Sequence, residues 1–183
     1  MEKLLFLSKF IRSPRTIGSI APSSRFLARA MTQPVQWETA RNIAELGAGT
    51  GSFTRYISRL KTPECQALIF EQDSTMRNAL AADYPEMHHY PNARTMSHTM
   101  RLHKINGFDY ILSGLPFMNF PQELRDELMD EVERSLAPSG TFIAFQYSLQ
   151  MKKQLAQRFD DIRITFVPLN IFPAFVYICK KTI

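Results

Sequence analysis

Ile43-Ala44-Glu45-Leu46-Gly47-Ala48-Gly49-Thr50-Gly51 is a short apolar run that breaks into three alternating glycines, and a helix-like stretch follows from Ser52. An apolar run of strand length, a G-x-G-x-G turn and then a helix predict a strand-turn-helix unit built to meet a ligand. Gly47 and Gly49 let the backbone turn sharply and approach that ligand with no Cβ in the way. Gly51 opens the helix, whose first amides are free to donate to ligand oxygens.

The next apolar run, Ala67-Leu68-Ile69-Phe70-Glu71, ends on an acid 20 residues after Gly51. An acidic side chain there accepts the ribose hydroxyls of a nucleotide-like cofactor. A dinucleotide site is the competing reading, but Ser52 stands where that fingerprint wants a glycine, and Glu45 would repel a pyrophosphate. Glu45 suits instead the cationic amino group of a methionine moiety. The combination points to S-adenosylmethionine, held by Glu45, Gly47, Ala48, Gly49, Thr50, Gly51, Glu71 and Gln72. Beyond the third strand, Asn92 and Ala93 in Tyr90-Pro91-Asn92-Ala93 are placed at the adenine. A turn-forming Pro-Asn pair is the alternative there.

Outward from this unit the pattern alternates. Strands are predicted at Asn42–Leu46, Ala67–Glu71, Met87–Tyr90, Tyr110–Ser113, Thr141–Tyr147, Arg163–Val167 and Ala174–Lys180. Helices are predicted near Ser52–Leu60, Ser74–Asp83, Gln122–Leu136 and Leu149–Phe159. Such alternation implies an α/β fold with a mostly parallel, seven-stranded sheet covered on both faces. The last two strands are linked by Pro168-Leu169-Asn170-Ile171-Phe172-Pro173 alone, too short for a parallel crossover, so they pair antiparallel. Two helices precede the sheet, Lys3–Ile11 and Ser24–Met31, the second capped by Ser23 or Ser24. With 183 residues and no linker, residues 1–183 read as one domain.

Composition narrows the function classes. No apolar run approaches the roughly 20 residues that span a bilayer, and Leu4-Leu5-Phe6-Leu7 is too short for a signal peptide, which places the chain in the cytoplasm. Cys65 and Cys179 lie far apart and the four histidines form no ligand set, so no metal site is expected. The net charge is +5, and residues 1–30 account for all of it: Lys3, Lys9, Arg12, Arg15, Arg25 and Arg29 against Glu2. A basic arm of this kind seeks an anionic surface, either phospholipid headgroups or nucleic acid. Leu4, Leu7 and Ile11 share one side of the first helix, with Phe6 and Phe10 beside them, whereas Lys9 and Arg12 lie opposite. That suits a helix lying in a membrane interface, or alternatively a lid packed on the sheet.

Ser113-Gly114-Leu115-Pro116-Phe117 ends the fourth strand. Ligands of open α/β sheets bind beyond the carboxyl ends of strands, so this turn faces the reacting group, with Ser113 and Leu115 also against the cofactor. Methyltransferases that act on nucleobase amines carry Asn-Leu-Pro-Tyr or Asp-Pro-Pro-Tyr here; Ser113 and Phe117 make a nucleobase acceptor less favoured.

Several segments in order resemble one family. They are Phe10-Ile11-Arg12-Ser13-Pro14, Ile17-Gly18-Ser19-Ile20-Ala21-Pro22-Ser23-Ser24, Glu45–Thr54, Ser113–Phe117, Phe145-Gln146-Tyr147 and Asn170–Tyr177. The chain is similar to the bacterial phospholipid N-methyltransferases of the Rhodobacter-type phosphatidylethanolamine methyltransferase family, relatives of the rRNA adenine dimethylases. The resemblance implies a Rossmann-like class I methyltransferase that methylates the amine of phosphatidylethanolamine or a related aminolipid at the inner face of the membrane. It also implies that Pro22, Ser23 and Ser24 fold over the cofactor and that Tyr147 lines the acceptor pocket. Ala48 replaces a proline common in the family's turn, and Asn92 stands where an Asp is common.

The acceptor must present a neutral amine, although a lysine-like amine is mostly protonated at neutral pH. Tyr147, Ser113 and His98 are the candidates to take its proton or hold it, with His98 equally readable as a solvated helix residue. Phe117, Tyr147 and Phe172 are candidates for cation–π contact with the methylated product. Nucleic-acid adenine methylation and small-molecule amine methylation are the rival readings.

Overall fold

The computed structural model describes residues 23–181. Within them, seven strands form one sheet in the order β3-β2-β1-β4-β5-β7-β6. The strands are β1 (Asn42–Leu46), β2 (Gln66–Phe70), β3 (His88–Tyr90), β4 (Phe108–Ser113), β5 (Leu136–Gln146), β6 (Asp161–Val167) and β7 (Ala174–Lys180). Strands β1 to β5 pair in parallel, and β7 runs antiparallel to both of its neighbours, β5 and β6. This is the mostly parallel sheet expected from the strand-helix alternation, with the antiparallel closing pair its short link requires, and it agrees with the Rossmann-like class I methyltransferase fold that the resemblance implies.

The helices are α1 (Arg25–Thr32), α2 (Thr54–Leu60), α3 (Ser74–Asp83), α4 (Met96–Leu102), α5 (Gln122–Ser135) and α6 (Lys152–Ala156). Side chains alternate across each strand, so β1 serves two cores. Ile43 joins Leu27, Met31, Phe53 and Ile57 on one face, whereas Ala44 and Leu46 join Met96, Met129 and Phe142 on the other. Helix α1 is capped as predicted, with the Ser24 hydroxyl accepting from the Leu27 amide at 3.1 Å.

Three elements differ from the sequence reading. Helix α4 was not expected; buried Met96 and Met100, one turn apart, anchor it against α5. Helix α6 is much shorter than the predicted Leu149–Phe159. Strand β5 starts five residues earlier than expected, because a register shift between Phe108 and Tyr110 lets Leu136 pair with Phe108 before Thr141 pairs with Tyr110. Helix Lys3–Ile11 and Pro22 lie outside the described residues. No described helix is long and apolar enough to cross a membrane.

Candidate functional site

The glycine turn sits at the carboxyl end of β1, with Gly47, Gly49 and Gly51 at φ of 70°, 57° and 82°. These left-handed values explain the glycines directly. A Cβ on Gly49 would meet nothing within 4 Å, so the backbone there borders open space. Beside the turn lies a cleft of about 410 Å³, its mouth included, walled by Gly47, Glu71, Gln72, Asn92, Ala93 and Leu115 among others; Glu45, Gly49 and Gly51 are not among its walls.

Glu71 follows β2 directly and is buried. Its Oε2 accepts from the Gly49 amide at 2.7 Å and its Oε1 from the Asp73 amide at 2.8 Å. Asp73 in turn caps α3 through the amides of Thr75 and Met76. Two backbone donors therefore aim the carboxylate, and each oxygen keeps a lone pair for a further donor. Gln72 beside it has a buried Oε1 with no partner among the described residues.

Glu45 points to the α2 face of the sheet and is completely buried. The Thr54 hydroxyl donates to its Oε2 at 2.7 Å, while Oε1 has no partner among the described residues. Burial pushes its pKa up to about 7; the Thr54 hydrogen bond opposes the rise, and the Glu71 charge adds to it. A buried carboxylate with one unpaired oxygen is costly unless a donor or cation meets it. These orphaned acceptors and the open glycine turn fit a cofactor with an ammonium group, two vicinal hydroxyls and a flat base.

Asn92 and Ala93 line the cleft as expected. The Asn92 Oδ1 is committed to the Arg94 amide at 3.0 Å, leaving its side-chain NH₂ as the group for an adenine edge. The Arg94 guanidinium ties this loop to α5 through Glu127 at 2.7 Å. Ala48 packs under the turn into the core and Thr50 is exposed; neither is among the cleft's walls.

The Ser113–Phe117 turn interlocks with the glycine turn. A Cβ on Gly114 would fall 2.8 Å from the Gly47 carbonyl, and one on Gly47 would fall 2.7 Å from Leu115 Cδ2. The fully buried Ser113 hydroxyl accepts from the Leu115 amide at 3.2 Å, and Gln146 Nε2 donates to the Leu115 carbonyl at 3.0 Å. Ser113 thus shapes the turn and presents no hydroxyl to an acceptor.

Tyr147 leaves β5 at the same end of the sheet. It belongs to a run of edge-to-face rings: Phe53–Phe145 at 5.9 Å, Phe145–Tyr147 at 5.6 Å and Tyr147–Phe172 at 6.0 Å. The run starts beneath Gly114, whose Cβ would lie 3.6 Å from the Phe53 ring, and ends at the half-exposed Tyr147 and Phe172. Burial raises the Tyr147 pKa, opposed by a hydrogen bond from Asn170. Asn170 Oδ1 accepts from the Ser24 amide at 2.9 Å, and the Ser24 hydroxyl donates to the Leu169 carbonyl at 2.8 Å. Ser24 therefore seals the β6–β7 loop; neither it nor the half-buried Ser23 lines the cleft.

Two candidates are displaced. His98 is exposed on α4, which packs on α5, and nothing brings it to Tyr147 or Ser113. Phe117 is buried in the core against Phe120 and Phe142, so it cannot face an acceptor cation. Phe53 and Phe145 were missed. Only the folded chain shows the ring run they join. Among the described residues, no group of three His, Cys, Asp or Glu side chains is placed to hold a metal.

Residues 43–140 match a family described as a methyltransferase domain. The chain is 34% identical over 181 residues to an ornithine lipid N-methyltransferase of Singulisphaera acidiphila, a match covering 96% of this chain and 94% of that one. Among solved structures, it resembles the O-methyltransferase TomG of Streptomyces achromogenes in complex with SAM. There the TM-score is 0.67 at 14% identity, over 86% of this chain and 81% of that one. A TehB-like SAM-dependent methyltransferase of Corynebacterium glutamicum aligns over 99% of both chains, with TM-score 0.62 and 16% identity.

Proposed function

The chain belongs to the methyltransferase domain family and is an S-adenosylmethionine-dependent methyltransferase, and from that premise we propose that it methylates the primary amine of a lipid headgroup. The observation that carries this reading is the aromatic run from Phe53 to Phe172, which leads from the glycine turn to the surface beside an apolar loop. Support comes from the ornithine lipid N-methyltransferase of Singulisphaera acidiphila, similar over nearly its whole length. Phosphatidylethanolamine is the acceptor suggested by the resemblance in the sequence, and an ornithine lipid the one suggested by this relative.

The cofactor supplies an electrophilic methyl group on a sulfonium. In our reading Glu71 accepts the ribose hydroxyls with the oxygens that Gly49 and Asp73 hold in place. Glu45 Oε1 meets the methionine ammonium, and Asn92 and Ala93 flank the adenine. Gly47 and Leu115 form the floor between the two halves. Ser24 then belongs to the acceptor side, where it fastens the β6–β7 loop.

On that side Phe145, Tyr147 and Phe172 form a wall for the amine. Their rings favour a cation, which rewards the more methylated product. With its pKa raised, the Tyr147 phenol keeps its proton at neutral pH and serves as a hydrogen-bond partner rather than a base. The Ser113 hydroxyl is fully buried in its turn, where it accepts from Leu115. The amine therefore gives its proton to water before it aligns, and rate comes mainly from alignment and exclusion of water.

The test is incubation with labelled cofactor and vesicles of phosphatidylethanolamine, vesicles of ornithine lipid, or total RNA. Label in either lipid is expected. Label in RNA and in neither lipid would overturn the reading. The basic N-terminal segment is assigned to the anionic membrane face, and unchanged sedimentation after deletion of residues 1–12 would remove that assignment.

A further inference from the structure

The end of the sheet that carries the aromatic run also carries apolar side chains with no polar work to do. Leu169 is 60% exposed, Ile171 64% and Leu149 48%, and Phe172 stands between the first two and Tyr147. Scattered exposed leucines are ordinary on a protein surface; a cluster on one loop at the mouth of a site is not.

The loop that bears Leu169 and Ile171 is held stiffly. Asn170 accepts from Ser24 and donates to the Phe172 carbonyl at 3.0 Å, and Ser24 holds the Leu169 carbonyl. Asn170 thus turns its polar groups inward and leaves its two apolar neighbours outward. Leu149 follows the Ser148 carbonyl, which accepts from the Tyr177 phenol of β7 at 2.9 Å.

The chain segments bordering the loop are basic apart from Asp160 and Asp161 at the start of β6. Residues 23–37, 145–159 and 162–173, which supply α1, the segment after β5 and the β6–β7 link, contain no Asp or Glu. They contain Arg25, Arg29, Lys152, Lys153, Arg158 and Arg163. Of these, Arg158 is neutralised by Asp130 and Glu133 of α5, and Arg163 lies near Asp161. Apolar side chains framed by lysine and arginine match an anionic lipid surface: the acyl boundary takes the former and the headgroups the latter. A second copy of the chain would bring the same positive rim against itself.

We propose that the tip of the β6–β7 loop, Leu169 and Ile171, together with Leu149, inserts into the headgroup–acyl boundary of an anionic bilayer and sets the aromatic mouth at the level of lipid headgroups. This deepens the aminolipid reading and rests on it for its purpose, but docking can be measured with no acceptor present.

The full chain is mixed with vesicles of phosphatidylcholine and phosphatidylglycerol, lacking any aminolipid and cofactor, and sedimented. The L169D/I171D double variant should lose partitioning about tenfold or more. L102D should partition like the native chain, because Leu102 is as exposed, at 65%, but lies at the far end of α4. Both variants alter exposed positions, so cofactor affinity and melting temperature should stay native and exclude misfolding. Independently, Ile171→Trp should be quenched by brominated acyl chains in these vesicles beyond the quenching of native Trp37. No added quenching at position 171, or native partitioning of L169D/I171D, overturns the proposal. So does blue-shifted emission of the Ile171→Trp side chain without vesicles, which marks a loop covered by the protein itself. A concentration-dependent dimer abolished by L169D/I171D would assign the surface to a second copy instead. If docking holds while neither lipid is labelled in the acceptor assay, the aminolipid reading falls and the surface stands.

Discussion

Gly49 donates its amide to Glu71 at 2.7 Å, tying the turn after β1 to the end of β2. One carboxylate both sets the shape of the glycine turn and walls the cleft beside it.

Replacing that carboxylate removes two backbone hydrogen bonds and the ribose acceptor together. Charge-assisted bonds contribute about 1.5–3 kcal/mol each, so Glu71→Ala should weaken S-adenosylmethionine binding by about 100-fold or more. Calorimetric titration reads this directly, and native affinity would remove Glu71 from the site.

Gly114→Ala presses a methyl toward the Gly47 carbonyl, 2.8 Å from the ideal Cβ. Both turns belong to buried strands and have little room to give. A loss of about 1–3 kcal/mol in stability is expected, with weaker cofactor binding, from thermal melts with and without cofactor.

Glu45 makes cofactor binding depend on pH. Its folded pKa of about 7 lies above the unfolded value of 4.5, so the native state holds an extra proton between these limits. Stability contributed by this group is therefore present below about pH 4.5 and declines as pH rises through 7, by on the order of 3 kcal/mol. A ligand ammonium at Oε1 reverses the preference and expels the proton. Cofactor affinity should rise between about pH 5 and 7, with proton release visible as buffer-dependent heats. Glu45→Gln should be at least as stable at pH 8 yet bind the cofactor more weakly; heats independent of buffer would sink the assignment.

Tyr147 separates ring from hydroxyl. If the phenol stays protonated, Tyr147→Phe should keep most of kcat, and Tyr147→Ala should lower kcat/KM by about tenfold through loss of the cation–π face. Steady-state kinetics on aminolipid vesicles decide this. A collapse of kcat in Tyr147→Phe alone would make the hydroxyl a participant in the proton transfer.

Ser24→Ala removes both the cap of α1 and the tie to Leu169. A cost of about 1 kcal/mol is expected from melting curves, with faster hydrogen exchange at residues 169–172.

The residues about the glycine turn were legible because their signals are local. Three glycines, an acid at a strand end and a Pro-Asn turn each act within a few residues of their own backbone, and Glu71, Gln72, Asn92 and Ala93 all line the cleft. The acceptor half is assembled from distant segments. Ser24 meets Asn170, and Phe53 meets Phe145, through pairings that no spacing in the chain announces. Ser113 and Phe117 were placed at the right turn but with the wrong orientation, because a strand end does not disclose which side chain faces inward. For His98 two readings stood open, a proton acceptor or a solvated helix residue, and its exposed place on α4 matches the second.

The antiparallel β7, wedged between β5 and β6, carries a consequence for the order of assembly. The Ser24–Asn170 bond joins residues 146 apart in the chain, and the β6–β7 loop cannot return to the mouth until β7 has slotted in. Contacts of such long sequence separation form late, and synthesis proceeds from the N-terminus. A chain emerging from the ribosome therefore completes its glycine turn and Glu71 well before it owns an acceptor wall. The aromatic wall is completed only when β7 is in place.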